Sequence, residues 1–265
     1  MTTLPPLDMH CHMTQAAEPV DGDPGILSVT FTPQEYETRS TSRDTARTVW
    51  AVGLHPWEFG SVDQLDAFFA HLPAVQAVGE VGLDGTERAR SPLNTQRDGL
   101  QRILSHPEIK RRIVSIHGWM AYEDVVRALE EERPPGVIYH WFMGMGATLE
   151  RAVALDIFFS VNDAMFSLPE GRQIVAELPR SRVLTETDGP YIQAGTGQAM
   201  NPGDEVPGGP ALRPGQLDAT EQELARIWGT TSTDVRTQLW TNLAELEARL
   251  DIRPFHASDV IVRPS

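Results

Sequence analysis

Short apolar runs recur along the chain, and segments in which apolar residues follow a helical spacing separate them. This alternation is typical of parallel strands joined by crossover helices. The pattern predicts eight strands, at residues 7–12, 25–31, 49–55, 75–82, 113–117, 137–142, 157–161 and 183–188. Eight parallel strands alternating with helices predict an α/β fold, a closed (β/α)8 barrel of the TIM type.

Periodicity and capping residues also predict helices between these strands. The clearest of them lie at residues 61–72, 123–132, 219–228 and 233–250. The first crossover is different, because few residues separate His12 from Gly25 and Pro and Gly are among them. We expect its helix to be shortened or missing.

Two segments show no helical or strand periodicity. Residues 193–216 are rich in Gly and Pro, and a loop of this length is usually functional or disordered. Residues 252–265 show no clear element and are expected to form a C-terminal tail. Since 265 residues match the size of one barrel, roughly 250 residues, we expect a single domain over residues 1–251.

The composition is that of an ordinary globular protein. Hydrophobic residues make up 40% of the chain, yet no apolar run approaches the roughly 18 residues of a membrane helix. The N-terminus has no basic region followed by an apolar stretch. The single cysteine, Cys11, cannot form an internal disulfide and is expected to pack in the core. These features predict a cytoplasmic protein without a membrane partner.

The charge restricts which nucleic acids can bind. The chain has 22 basic and 37 acidic residues, a formal net charge of -15 at pH 7. Non-specific affinity for a phosphate backbone comes mainly from Lys and Arg, so this balance excludes a long groove for duplex DNA. A pocket centred on divalent metal ions is locally more positive, and a short strand end stays compatible with it.

Acids and histidines at strand ends are the candidate functional residues. Asp8, His10 and His12 share one face of the first strand, and two imidazoles at this spacing can hold one metal ion. Four later strands end in residues of the same kinds: Glu80, His117, His140 and Asp188. Catalytic groups of such barrels come from the C-terminal ends of several strands, so we expect His10, His12 and these four residues to meet at one mouth.

A single histidine at a strand end is more often a structural residue than a ligand. Six potential ligands in otherwise apolar strands are different, because an unpaired acid or imidazole is costly to bury. A centre with two divalent metal ions accounts for all six. Ligands of this kind suit Mg2+, Mn2+ or Zn2+ to different degrees.

The same residues lie in motifs that resemble those of the TatD family of metal-dependent DNases. The motifs are Asp8-x-His10-x-His12, Gly-Leu-His-Pro at 53–56, Gly-Glu-Val-Gly-Leu-Asp at 79–84, the strand-end His117 and His140, and Thr-Glu-Thr-Asp-Gly-Pro-Tyr at 185–191. They run in the family's order over most of the chain, from Asp8 to about Leu246. The resemblance implies an amidohydrolase-like barrel and exonuclease activity on short single-stranded DNA ends.

The resemblance also implies a role for each ligand. It assigns a first metal ion to His10, His12, Glu80 and Asp188, and a second to Glu80, His117 and His140, with Glu80 bridging. Two close divalent ions can clamp a phosphodiester and lower the pKa of a water molecule. Glu80 and Asp188 would then be catalytic, Asp188 by orienting that water or taking its proton. Asp8 is expected to orient a histidine ligand rather than to bind metal.

Contacts with the substrate are less specific in the sequence. His55 is placed to meet a substrate phosphate, although a structural histidine at a strand-end turn fits equally well. Aromatic residues near the mouth can stack on bases, with Trp119 and Trp141 as the candidate substrate contacts and ordinary packing as the alternative. Trp57 and Tyr191 are further members of this set. The orientation of Glu186, inward or outward, is open.

Basic residues on loops are further candidates for contact with a phosphate backbone. They form two short pairs, Arg43 with Arg47 and Arg88 with Arg90. Such pairs are usually only solvated surface. In typical TatD proteins an Arg closely follows the histidine that matches His117, whereas Gly-Trp-Met stands here at 118–120. That departure puts one phosphate contact in doubt.

Shorter motifs, among them His-Trp-Phe at 140–142 and Gly-Leu-Asp-Gly at 82–85, resemble the QatD branch. This branch contains the TatD-type nuclease encoded with the Qat anti-phage defence system. The resemblance implies Qat-type defence proteins as partners.

Two other functions stay open. One is another binuclear metal hydrolase on the same scaffold, such as a lactonase, phosphotriesterase or amidohydrolase. Those enzymes commonly bridge their ions with a carboxylated lysine, but the only lysine, Lys110, falls outside a predicted strand end. The other is a largely structural subunit of a defence complex, which would not require an intact set of metal ligands.

Overall fold

The computed structural model describes residues 4–13, 19–40, 47–193 and 211–262. Within them, eight parallel strands form one sheet in sequential order. The strands are β1 (Leu7–Cys11), β2 (Gly25–Ser28), β3 (Thr48–Leu54), β4 (Ala77–Asp84), β5 (Ile113–Trp119), β6 (Val137–His140), β7 (Phe158–Val161) and β8 (Val183–Thr185). All eight predicted strands are confirmed, with shifts of a few residues at their ends.

The two outer strands of this sheet meet and nearly close it into a barrel. Just beyond β8, the backbone N–H of Asp188 donates to the carbonyl of His10 at 2.9 Å, and the N–H of His12 donates to the carbonyl of Gly189 at 2.8 Å. We call this contact the β8–β1 seam. It contains three of the six predicted metal ligands.

Helices surround the sheet. They are α1 (Pro33–Arg39), α2 (Leu65–Phe69), α3 (Leu93–Ser105), α4 (Tyr122–Glu132), α5 (Ala147–Ala154), α6 (Asp163–Phe166), α7 (Pro169–Glu177), α8 (Asp218–Trp228), α9 (Ser232–Leu250) and α10 (Ala257–Val262). The four helices predicted from periodicity correspond to α2, α4, α8 and α9, and a 3-10 turn precedes α2. Thr32 and Thr231 begin α1 and α9 by accepting a backbone N–H of the first turn.

The β1–β2 crossover contains no helix in its described part, residues 12–13 and 19–24, as predicted. Residues 14–18 lie outside the described chain. So do residues 194–210, which make up most of the Gly/Pro loop. Near the end of that loop, the N–H of Gly215 donates to the carboxylate of Asp8 at 2.8 Å, so the returning chain lies against β1.

An apolar core fills the space between the strands and the helices. Cys11 is buried in a smaller cluster with Met13 and Ile26, as expected for a packing residue. Among the described residues, no helix combines the length and the apolar character needed to span a lipid bilayer.

The segment after α9 packs on the barrel. Phe255, Ala257 and Val260 join the main core. Glu247 of α9 accepts the backbone N–H groups of Phe255 and Ala257 at 2.7 and 2.8 Å. The expected tail at residues 252–265 therefore includes the packed helix α10, while the domain boundary at residue 251 stays a prediction.

Candidate metal centre

The six predicted ligands lie together at the C-terminal end of the barrel. They are His10 in β1, His12 just after it, Glu80 in β4, His117 in β5, His140 at the end of β6, and Asp188 in the β8–β1 seam. His117 is half-buried and the other five are buried. The sheet order thus brings residues from five parts of the chain to one place.

Four side-chain atoms form a first cluster. The Nε2 atoms of His10 and His12 lie 3.5 and 3.4 Å from Glu80 Oε2. The same nitrogens lie 3.6 and 3.7 Å from Asp188 Oδ1. These separations are longer than ordinary hydrogen bonds. The four atoms therefore face a common point rather than bonding in pairs.

A second cluster surrounds the other oxygen of Glu80. Glu80 Oε1 lies 2.8 Å from His117 Nδ1 and 3.0 Å from His140 Nε2. The two histidine nitrogens are 3.4 Å apart. Glu80 therefore directs one carboxylate oxygen to each cluster, which is the arrangement that a bridging ligand requires.

The electrostatics of the first cluster fit a bound cation. Nε2 of His10 is buried without a hydrogen-bond partner although it faces two carboxylates. Burial raises the pKa of Asp188 well above its ordinary value, and the nearby carboxylates of Glu80 and Glu186 act in the same direction. A divalent cation would accept the free nitrogen lone pair and balance the buried charge, so these residues fit a metal ion.

In three of the histidines, a polar side chain contacts the ring nitrogen that faces away from Glu80. Nδ1 of His10 contacts Ser115 Oγ at 2.7 Å, and Nδ1 of His140 lies 3.4 Å from Glu186 Oε1. Glu186 is fully buried and also accepts a hydrogen bond from Asn162, so it points into the barrel. Carboxylate or hydroxyl partners of this kind fix the orientation of a ligand ring.

Asp84 holds the third ring. Its Oδ2 lies 3.2 Å from His117 Nε2, and its Oδ1 accepts the backbone N–H of Thr86 at 2.7 Å. Burial opposes ionisation here, but the hydrogen bonds from His117 and Thr86 hold the pKa of Asp84 below its ordinary value. The sequence reasoning did not assign this residue, although its even spacing from Glu80 places both on one face of β4.

Asp8 makes different contacts from those expected. Its carboxylate accepts the backbone N–H and the hydroxyl of Thr187 at 2.9 and 2.7 Å, as well as the N–H of Gly215. Burial raises the pKa of Asp8 to about 6. These bonds hold the segment that leads to Asp188, whose backbone is left-handed with φ 45°, instead of orienting a histidine ligand.

His55 lies beside the second cluster as a hydrogen-bond donor. Its Nδ1 accepts the backbone N–H of Trp57 at 3.1 Å, and its Nε2 lies 3.5 Å from Glu80 Oε1. Burial lowers the pKa of His55 to about 4, so the ring is neutral at pH 7 and its one proton is on Nε2. His55, Glu80 and His117 also form one of the groups whose ligand atoms lie close enough together to hold a metal ion, and an ion bound there would have to replace this proton.

An open cleft lies above both clusters, and its aromatic lining includes Phe31, Trp57, Trp119, Trp141 and Tyr191. The rings of Trp119 and Trp141 lie 6.0 Å apart, and Trp119 is 39% exposed. The structure therefore places the predicted aromatic residues, and also His55, around the same opening.

The four arginines of the two predicted pairs differ in their positions. Arg88 lines the cleft, and its guanidinium lies over the Trp57 ring, 4.0 Å from the centroid. Arg47 pairs with Asp23, and Arg90 lies 3.7 Å from Glu58. Arg43 falls outside the described residues.

Comparison with known proteins matches most of the chain to a protein family. The family described as TatD related DNase matches residues 7–247. An uncharacterized metal-dependent hydrolase of Bacillus subtilis, YabD, is 29% identical over 150 residues, 54% of this chain and 58% of that protein. The 3'-5' ssDNA/RNA exonuclease TatD of Escherichia fergusonii is 26% identical over 177 residues, 63% of this chain and 67% of that protein.

Comparison with solved structures shows that the fold is shared. The crystal structure of YJJV, a TatD homolog from Escherichia coli K12, superposes with a TM-score of 0.68 and 24% sequence identity. The alignment covers 91% of this chain and 96% of that one. The barrel is therefore shared over nearly its whole length, whereas the match to YabD spans only a little more than half of that relative.

Proposed function

Because the chain belongs to the TatD-related DNase family, we propose that it hydrolyses phosphodiester bonds and shortens single-stranded DNA from an end. The observation that carries the proposal is Glu80, whose two carboxylate oxygens face two separate groups of histidines. A relative described as a 3'-5' ssDNA/RNA exonuclease supports single-stranded nucleic acid as the substrate class.

The proposed centre holds two divalent metal ions. His10, His12, Glu80 and Asp188 would bind the first ion, and Glu80, His117 and His140 the second. Mg2+, Mn2+ and Zn2+ all suit this mixture of imidazole and carboxylate to some degree. Two such ions neutralise the charge of a phosphodiester and make a water molecule more acidic.

The chain's own residues orient the substrate and move the proton. Asp188, at the edge of the cleft, takes the proton from the attacking water. His55 donates its Nε2 proton to a phosphate oxygen beside the second cluster, because its other nitrogen is already occupied. Trp119 and Trp141 stack on a terminal base.

The test uses metal-free protein, to which Mg2+, Mn2+ or Zn2+ is added separately with end-labelled single-stranded DNA. We expect stepwise shortening with at least one metal, and a loss of about 100-fold or more in kcat for Asp188→Asn. Asp63→Asn, at an exposed site, is the matched control and should cleave at the wild-type rate. No cleavage with any metal, or wild-type turnover by Asp188→Asn, would contradict the proposal.

The structure gives no support for a lysine-bridged hydrolase. Lys110 is exposed in the 3-10 turn Pro107–Arg111, outside the barrel mouth. Glu80 lies where the bridging group is needed. Lactonase, phosphotriesterase and amidohydrolase activities therefore do not enter the proposal.

The likeness to the QatD branch extends the proposal to anti-phage defence in the cytoplasm, with Qat-type proteins as partners. Cells that express the chain with such partners should lower the plating of a susceptible phage, and Asp188→Asn should restore it. Equal protection by wild type and variant would assign the chain a structural role in the defence complex instead.

A further inference from the structure

Arg88 is the one arginine or lysine in the cleft lining, within the described part of the chain. It lies in the loop between β4 and α3, and its guanidinium is 4.0 Å from the centroid of the Trp57 ring. A guanidinium that rests on an indole is held through its face by a cation–π contact.

Trp57 is a fixed platform for this contact. Its indole N–H donates to Asp84 Oδ2 at 2.8 Å, and its backbone N–H donates to His55 Nδ1 at 3.1 Å. Asp84 Oδ2 also lies 3.2 Å from His117 Nε2. Three contacts, from Arg88 to Trp57, from Trp57 to Asp84 and from Asp84 to His117, therefore link Arg88 to a residue of the second cluster.

Neither Arg90 nor the segment after His117 adds a second cation to the cleft lining, within the described part of the chain. Arg90 lies 3.7 Å from Glu58 and does not line the cleft. Residues 118–120, after His117, are Gly, Trp and Met and supply no positive charge. On a chain with a net charge of -15, a single cation in the lining is a localised site for an anion.

We propose that Arg88, held on Trp57, binds the phosphate that neighbours the one being hydrolysed. The proposal rests on the function proposed above and adds a second phosphodiester group to what the substrate must provide. Guanidinium recognises phosphate oxygens through paired, charge-assisted hydrogen bonds, which gives both charge and direction. The cleft would then hold a strand through one base stack and one phosphate contact beyond the reacting group.

The experiment compares two substrates in the presence of the active metal. A trinucleotide has two phosphodiester groups, and a dinucleoside monophosphate has one. Arg88→Gln should raise KM for the trinucleotide about tenfold with kcat retained, because one charged hydrogen-bonded contact is lost. The one-phosphate substrate should be cleaved by this variant as by wild type. Arg90→Gln is the matched control and should match wild type on both substrates.

Two further measurements separate a phosphate contact from a structural effect. In one, the trinucleotide has a neutral methylphosphonate at the linkage that is not cleaved. Wild type and Arg88→Gln should then have the same KM. In a salt series, the slope of log KM against log salt concentration should fall by about 0.7 in Arg88→Gln, the value for one phosphate on a single strand.

An unchanged KM for the trinucleotide in Arg88→Gln, or an equal loss on both substrates, would overturn the proposal. A wild-type protein that cleaves neither substrate would instead contradict the proposed function. In that case, fluorescence anisotropy with a labelled trinucleotide and metal-loaded protein decides the Arg88 site by itself. Equal affinities of wild type and Arg88→Gln would then exclude it.

Discussion

At the scale of single residues, one carboxylate connects the proposed metal ligands with the wall of the cleft. Asp84 accepts a hydrogen bond from the Trp57 indole and contacts His117 through the same oxygen. Its other oxygen is held by Thr86. Asp84 therefore fixes a ligand ring and an aromatic platform together, although it is not itself in either cluster.

Replacing Asp84 with Asn should weaken the second metal site. Loss of the negative charge beside His117 Nε2 lowers the basicity of the imidazole and leaves its ring less firmly oriented. Such a change typically lowers metal affinity 10- to 100-fold. Calorimetric titration of metal-free protein measures the change directly, with the exposed Asp63→Asn as control. Wild-type affinity at both sites in Asp84→Asn would show that His117 needs no such partner.

The residues that contact the candidate ligands were harder to predict from the sequence than the candidate ligands, which still await a test. Histidines and acids stand out at the ends of apolar strands because burying them without a partner is costly. Ser115 reaches His10 from β5 to β1, and Glu186 reaches His140 from beyond β8 to β6. These are relations between distant strands, and no local pattern in the sequence contains them.

At the scale of elements, strands could be predicted better than short helices. The eight strands are mostly apolar, as expected when both faces of a parallel sheet are covered, and polar residues interrupt them mainly at the candidate site. The helix α10 has only six residues, and its first backbone groups are held by Glu247 of another helix. Packing on the core and the contact with Glu247 stabilise α10. A helix this short has no clear apolar pattern, so the sequence did not predict it.

Phe255, just before α10, should therefore be important for stability. It is 1% exposed in the main core, so Phe255→Ala should lower the free energy of unfolding by about 3–5 kcal/mol. Urea unfolding measures this change. Val262→Ala, at a residue of the same helix that is 78% exposed, should have little effect. Equal stabilities of the two variants would support a domain that ends at residue 251.

At the scale of the whole molecule, the chain combines a negative net charge with carboxylates that are buried at one site. The chain has a net charge of -15, and five buried carboxylates lie in or next to the proposed metal centre: Asp8, Glu80, Asp84, Glu186 and Asp188. Bound cations would offset part of this charge in the folded state and have no comparable site in the unfolded chain. Metal binding and stability should therefore be coupled.

Chelation should lower the melting temperature of metal-loaded protein. Ligand that binds only the folded state stabilises it by about 1.4 kcal/mol for each tenfold excess over Kd. Thermal scans with EDTA and with graded Mn2+ measure this dependence. Glu80→Gln, which loses the bridging charge, should melt at nearly the same temperature in both conditions. A wild-type melting temperature that is insensitive to metal would contradict the coupling.

The β8–β1 seam also sets the order in which the centre can be assembled during synthesis. Asp8 and Thr187, which bond across it, are 179 positions apart in the chain. The ribosome releases His10 and His12 first, and they have no Asp188 to meet until the eighth strand has emerged. Contacts between such distant residues form late and slowly. The nascent chain therefore carries an incomplete hydrolytic centre for most of its translation, which keeps the proposed nuclease inactive until the barrel closes.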